Sequence, residues 1–255
     1  MLTEHQKKNK TLQFQLTALC DLKKEQSERM FVLMSEHYDC MTKERFSQDL
    51  LNKQWVGLLM DSQNQIQGFT TLVVNPKGCG TPLYNIVFSG DTIIARAYWG
   101  TSELVRGVAY TFGRMLAAQS HKKLYWYLMS KGHRTYMYLP LFFRRFYPSY
   151  DQKRHIDLFE IVNGCSKILY PDAWYSSRGV VAFKESHGQL KSELAQGAWH
   201  KQMHPHVQFF LEKNPRFDQG EELICMAEIH PDNALAVVKE CILQGMKEPL
   251  TFSSP

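Results

Sequence analysis

Three histidines crowd into the segment WHKQMHPH, at His200, His204 and His206, and two histidines four residues apart on a helix can hold a metal from one face. Pro205 interrupts a regular helix there, the glutamate of an HExxH pair is missing and no cysteine stands close by. Surface or packing histidines are the stronger reading, and no metal is expected. A second cluster, FFRRFYPSYDQKRH, interleaves Arg144, Arg145, Lys153 and Arg154 with aromatic side chains, a mixture that can grip phosphates or stack on bases. On an amphipathic helix the same residues simply put their rings inside and their charges in water. One short cluster does not make the extended basic face that nucleic acid requires, so none is expected as a partner. The chain as a whole carries 30 Lys and Arg against 25 Asp and Glu, a net charge of +5, which supports a modest attraction for small anions. With no GxSxG elbow, no P-loop and no cysteine in a nucleophile's local context, hydrolase and nucleotide-triphosphatase chemistry drop out.

The six cysteines, Cys20, Cys40, Cys79, Cys165, Cys225 and Cys241, are scattered without a CxxC pair and read as reduced thiols. The leader MLTEHQKKNK is polar and no run of about 18 apolar residues follows it anywhere. These features set the expectation of a soluble, cytoplasmic protein without a membrane span.

The elements that would position any chemistry can be followed by period. Leu12 to Leu19 alternates as a half-buried strand, and Met30, Leu33, Met34 and His37 then share one helical face. Thr42 can cap a second helix through TKERFSQDLLNK. WVGLLM and IQGFTTLVV read as a hairpin turned by DSQNQ, and YNIVFSGDTIIARAYWG as one bulged strand or two strands meeting at Ser89, Gly90 and Asp91. From Thr101 a helix is predicted through Leu104, Val105, Val108, Phe112, Met115 and Leu116, with Ser102 available as its cap. LYWYLM is a strand, and RTYMYLPLFFRRFYP suits a helix bent or interrupted at Pro140. Beyond it IDLFEIVNGCSKILY is amphipathic, GVVAFK and EELICMAEI are strand-like, and HGQLKSELAQ, HVQFFLEK and NALAVVKECILQ look helical.

This order resembles the GNAT superfamily of acyl-CoA N-acyltransferases: strand, two helices, three antiparallel strands, then helix, strand, helix and closing strands. The resemblance implies an α/β (α+β) fold, a mixed and mostly antiparallel sheet flanked by helices. The chain is then one domain, with a core of about 12–150 and a C-terminal α/β elaboration of about 151–255. The family's diphosphate-binding turn, Q/R-x-x-G-x-G/A, finds its best match at Leu104-Val105-Arg106-Gly107-Val108-Ala109, with Leu104 where a polar residue is usual. Such a turn works because small residues let backbone amides approach a diphosphate at a helix N-terminus carrying about half a positive charge. An earlier register, with Trp99 leading into Gly100, Thr101 and Ser102 as the turn, stays open, as does a packing role for Gly107 and Gly113.

In that family the strands flanking this helix splay and hold the acyl thioester between them, and a tyrosine on the following helix protonates the departing thiolate. The resemblance therefore points to Tyr138, with Tyr136 beside it, and to Ser130 at the strand end, although Phe143 occupies the position where the family's terminal pattern has its tyrosine. For a base that deprotonates the acceptor, Glu103, Asp91 and His133 are available. The implied activity is acyl transfer from acyl-CoA, as co-substrate, or from an acylated carrier protein to an amine or hydroxyl of a small-molecule acceptor. A non-catalytic module that binds an acyl thioester or a protein is the alternative, motivated by Leu104 and Phe143.

Overall fold

The computed structural model describes residues 11–119, 121–151, 155–184, 188–194 and 203–251. Strand β1 (Gln13–Ala18) is followed by helix α1 (Lys24–His37), whose buried residues are Met30, Leu33, Met34 and His37, the face its period predicts. A short strand, β2 (Tyr38–Asp39), leads to α2 (Lys43–Leu50), where the Thr42 hydroxyl accepts the Arg45 amide at 3.2 Å as an N-cap. Strands β3 (Trp55–Met60) and β4 (Ile66–Val74) form the predicted hairpin. Asp61 holds its turn by accepting the amides of Gln63 and Gln65, each at 2.9 Å.

One bulged strand, β5 (Tyr84–Ile94), then runs antiparallel to β4. Between Gly90 and Ile93 it spends one more residue than the facing stretch Thr71 to Phe69, and Asp91 takes a φ of 39° there, a conformation Asp tolerates better than most residues. Helix α3 (Glu103–Ala118) crosses over to β6 (Lys123–Ser130), which lies parallel to β5 as a strand-helix-strand crossover requires. Ser102 makes no side-chain cap; the Thr101 hydroxyl accepts the Glu103 amide instead, at 3.4 Å.

The segment after β6 departs from expectation. It breaks at Met137, giving α4 (His133–Tyr136) and α5 (Tyr138–Phe142), with Pro140 tolerated inside the first turn of the second helix. Helix does not continue through FFRRFYP: Phe143 bridges to Ala234, and Phe146–Tyr147 is a strand, β7. Further on come α6 (Ile156–Leu169), short strands β8 (Trp174–Tyr175) and β9 (Val180–Val181), and β10 (Gln189–Leu190), which pairs with β2 where a helix was expected. Helix α7 (Pro205–Lys213), strand β11 (Glu222–Glu228) and helix α8 (Ala236–Gly245) complete the described chain. Trp199, His200, Lys153 and Arg154 lie outside the described residues.

Among the described residues the main sheet runs β1-β3-β4-β5-β6-β11-β9-β8, with β7 also on β11, and only the β5–β6 ladder is parallel. The fold is thus a mixed, mostly antiparallel sheet with helices on both faces, and β11 ties the C-terminal third into it. Alternation along β6 sorts the two faces. Leu124, Trp126 and Leu128 join Phe112, Met115, Val238 and Ile242 of α3 and α8, whereas Tyr125 and Tyr127 join Leu158 and Val162 of α6. On that second face α1 and α2 pack over Val56, Leu58, Phe69 and Ile93. No helix among the described residues is long and apolar enough to cross a membrane.

Helices α3 and α8 touch through glycine. A Cβ on Gly113 would sit 2.1 Å from the Ile242 carbonyl oxygen, and one on Gly245 would sit 2.0 Å from that of Tyr110. Both obstacles are backbone, so the helices would have to separate. Gly113→Ala and Gly245→Ala are each expected to lower stability by about 1–3 kcal/mol, read as a reduced midpoint in urea unfolding at unchanged slope.

Candidate functional site

The β5–β6 ladder begins at Tyr84 and Lys123 and ends at Ser89 and Leu128. Beyond that point β5 follows β4 through Gly90 and Ile94, while β6 follows β11, with Met129 facing Ile224 and Ser130 facing Leu223. The two central strands therefore part, and two clefts meet at the parting. Ser89, Thr92, Trp126 and Tyr138 line both of them.

On the α3 face lies a narrow, almost wholly apolar slot of about 40 Å³, walled by Leu104, Val105, Val108 and Phe112 of α3, Phe142 and Phe143, and Val238 of α8. Hydrogen bonds fix its floor: the Trp126 indole donates to Ser89 Oγ at 2.7 Å, and the Thr70 and Thr92 hydroxyls share a bond of 2.8 Å. On the α1, α2 and α6 face a larger cleft opens, of about 530 Å³. Its walls mix Tyr38, Phe88, Tyr170 and Phe183 with charged Asp49, Lys53, Asp91, Lys131 and Glu222.

These charges are arranged in contact. Lys53 Nζ lies 2.8 Å from Asp49 Oδ2 and 5.2 Å from the centre of the Phe88 ring. Lys131 Nζ lies 3.5 Å from Glu222 Oε1 and 5.3 Å from the centre of Tyr38. Asp91, on the bulge, has its carboxyl pushed up to about 7, first by burial and then by the Asp49 carboxylate, with Lys53 and Lys131 pulling the other way. Burial likewise raises Glu222 against the opposing pull of Lys131, and raises Tyr38 and Tyr170. Of the three bases available by sequence, Asp91 is the one on the cleft wall. It is a carboxylate that exchanges its proton near neutral pH.

Tyr138 stands where the two clefts join, its hydroxyl shifted upward by burial and held back by the Arg134 guanidinium. Phe143, at the family's tyrosine position, is buried in the slot wall. Tyr136 is buried too and donates to the Pro148 carbonyl, away from the parting. Ser130 is fully buried with Oγ 3.6 Å from Cys225 Sγ, and neither cleft includes it among its lining residues. Glu103 sits in the first turn of α3, where a negative charge favours the helix dipole, and neither cleft includes it either. His133 is buried in α4.

The helix start falls at Glu103, after Gly100 with a φ of 89°, so the turn of Gly100, Thr101 and Ser102 is the one at its N-terminus. Arg106 is exposed and its amide is already bonded to the Ser102 carbonyl at 2.9 Å. Gly107 is interior to the helix, where a Cβ would sit 2.0 Å from the Phe14 ring; its role is to let α3 lie against β1. Val108 and Ala109 line the apolar slot. Beside the turn, Arg134 stacks on Trp99 with Cζ 3.7 Å from the ring centre, and Arg96 reaches the same ring at 5.9 Å while pairing with Glu193.

Asp49, Lys53, Arg134 and Glu222 are absent from the sequence reading, because helix ends and strand starts carry such residues for solubility alone. Lys131 had a signal: it directly follows a strand that the aromatic run LYWYLM places inside. His204 and His206 meet at a tilt and His206 meets Tyr150 edge to face, and no metal-holding group of histidine, cysteine and carboxylate occurs among the described residues.

No family model and no curated protein matches the chain in sequence. Solved structures align with part of it. A conserved Enterococcus faecalis protein of unknown function, a probable N-acyltransferase, aligns over 53% of this chain and 33% of its own, with 17% identity and a TM-score of 0.38. The Escherichia coli GNAT-family N-acetyltransferase YhbS, solved with CoA, aligns over 48% of this chain and 64% of its own, with 13% identity and a TM-score of 0.34. Escherichia coli ElaA aligns over 50% and 85%, with 13% identity and a TM-score of 0.35. The chain thus spans about a third of the Enterococcus protein and just under two thirds of YhbS.

Proposed function

We propose that this chain is an acyltransferase that moves an acyl group from acyl-CoA, or from an acylated carrier protein, to an amine or hydroxyl of a small acceptor. The observation that carries the reading is the meeting of an apolar slot and a charged cleft, from opposite faces of the sheet, at the parting of β5 and β6. Two reactants that enter separately and meet at one point are what direct transfer requires. Past Ser89 and Leu128 the facing strand edges have no ladder with each other, so an amide-bearing donor arm in the gap would gain strand-like hydrogen bonds. At the mouth beside α3, the start of the helix at Leu104 and Val105 and the cations Arg96 and Arg134 suit a diphosphate.

For an amine acceptor the steps balance with side chains at the parting. Asp91 takes a proton from the ammonium, and the freed nitrogen lone pair attacks the thioester carbonyl carbon while the carbonyl electron pair moves to oxygen. Collapse of that intermediate re-forms the carbonyl and breaks the carbon–sulfur bond, the leaving thiolate takes the Tyr138 proton, and the second proton shed by the nitrogen as the neutral amide forms returns to the Tyr138 phenolate. Ser130 and Glu103 have no step in this scheme.

Two outcomes are expected. Arg134→Ala should weaken CoA binding about tenfold by calorimetry, whereas Gly107→Ala should lower the unfolding midpoint and leave CoA affinity unchanged. The reverse pattern would return the anion site to Arg106-Gly107-Val108-Ala109. For Asp91, only the ionised form accepts a proton, so kcat/KM should rise with pH through about 7 in an assay of thiol release from acyl-CoA with amine acceptors. Asp91→Asn should cut the rate by about 10²–10⁴-fold. Because the folded-state pKa lies above the unfolded value, ionising Asp91 in the folded chain destabilises it as pH rises toward and past 7. The asparagine variant should therefore unfold at no lower a temperature than wild type at pH 8. A variant both inactive and less stable there would mark Asp91 as structural, and tight CoA binding with no thiol release across amines and alcohols would favour a non-catalytic binding module.

A further inference from the structure

Resting on the acyltransferase reading, we propose that the charged cleft selects an acceptor that carries an anionic group as well as its amine, a zwitterion of the amino-acid or short-peptide kind with an apolar body. Among the described residues, this cleft is lined by the cations Arg45, Lys53, Lys77 and Lys131 and by the carboxylates Asp49, Asp91 and Glu222. Both signs of charge are thus present on the cleft walls, and an acceptor that carries an anionic group as well as an ammonium can engage both.

The local pairing says where each end belongs. Lys53 is held by Asp49 at 2.8 Å and Lys131 by Glu222 at 3.5 Å, which leaves Asp91 as the carboxylate without a lysine in contact. Asp91 is on the bulge, beside Ser89 and Thr92 at the junction with the slot, so an amine bound there is next to the donor. Lys77 is the matching cation. Its Nζ donates to the Leu169 carbonyl at 3.1 Å, a neutral acceptor, and none of the ion pairs of the described residues includes it. The loop before β5 holds it there, with Asn75 and Lys77 both at a φ of 48°. The aromatic side chains Tyr38, Phe88, Tyr170 and Phe183 on the same walls offer an apolar body its contacts. A cation held against a carbonyl in a cleft wall is placed to accept a carboxylate without first breaking an ion pair.

Calorimetric titration of the full chain without any donor tests this. The probes are L-phenylalanine, L-phenylalanylglycine and 6-aminohexanoate, each against its methyl ester, so that three spacings of ammonium and carboxylate are sampled. At one spacing at least, the free acid should bind about tenfold more tightly than its ester. Lys77→Met should bring that ratio close to one, and Lys77→Arg should preserve it. Esters binding as well as acids at every spacing, a preference indifferent to Lys77→Met, or no binding by any probe at millimolar concentration overturns the proposal. Since no donor is present, the two readings separate: acid preference without later thiol release from acyl-CoA removes the transfer reading alone. Turnover of plain amines without acid preference removes the zwitterion alone.

Discussion

The structure depends on one irregularity, the extra residue that β5 spends between Gly90 and Ile93. A bulge bends its strand and raises its twist, and here the bend carries β5 away with β4 just past the last rung it shares with β6. Without it the ladder would continue toward Ser130 and close the sheet. With it, the strand edges turn toward a gap, and both clefts gain access to the same four residues, Ser89, Thr92, Trp126 and Tyr138. The bulge also puts Asp91 at the junction, in a left-handed conformation that aspartate accepts at modest cost.

A parted sheet needs support from outside the parting. On one face the glycine contacts of Gly113 and Gly245 bring α3 and α8 together backbone to backbone, and α8 then supplies Val238 to the slot wall. On the other side β6 keeps a full partner in β11, from Tyr125 opposite Glu228 to Ser130 opposite Leu223, so its free edge is the one toward β5 alone. The C-terminal third is thus what lets β6 stay a strand after β5 has left it. Glu222, at the start of β11, reaches Lys131 just beyond the end of β6 and carries that support into the cleft.

Periodicity made much of this legible. The buried face of α1, the hairpin of β3 and β4, the parallel placement of β6 and the helical closing segment all follow from apolar spacing, because burial on one side leaves a repeat in the residues. Besides the strand β10, which lies where a helix was expected, two features escaped it. RTYMYLPLFFRRFYP has the apolar density of a helix, yet pairing of Phe146 and Tyr147 with Met226 and Ala227 wins over local propensity, a long-range term that spacing does not encode. Gly107 fits a phosphate-binding pattern by letter, and its actual neighbour, the ring of Phe14, is nearly a hundred residues away. At the site, Asp91 and Tyr138 stood out as residue types. Their meeting across the parting, and the lysines around Asp91, arise only from the fold.

Charge burial gives the cleft its functional character. Lys53, Lys131 and Glu222 are largely withdrawn from water, and desolvating such groups costs on the order of several kcal/mol each before their mutual attraction offsets it. A packed apolar wall would serve the fold at least as well, since replacing buried ion pairs by hydrophobic groups is often neutral or stabilising. The penalty is visible in Asp91 itself, whose carboxyl is shifted toward 7 by burial and by Asp49 despite two lysines nearby. An acid in that state is a poor structural element, because ionising it above neutral pH works against the folded chain. It is a good proton acceptor for the same reason, holding a proton loosely enough to lose it and tightly enough to take one from an ammonium group beside it. The cost borne by the fold at Asp91 and the reactivity available there are two readings of one shifted equilibrium.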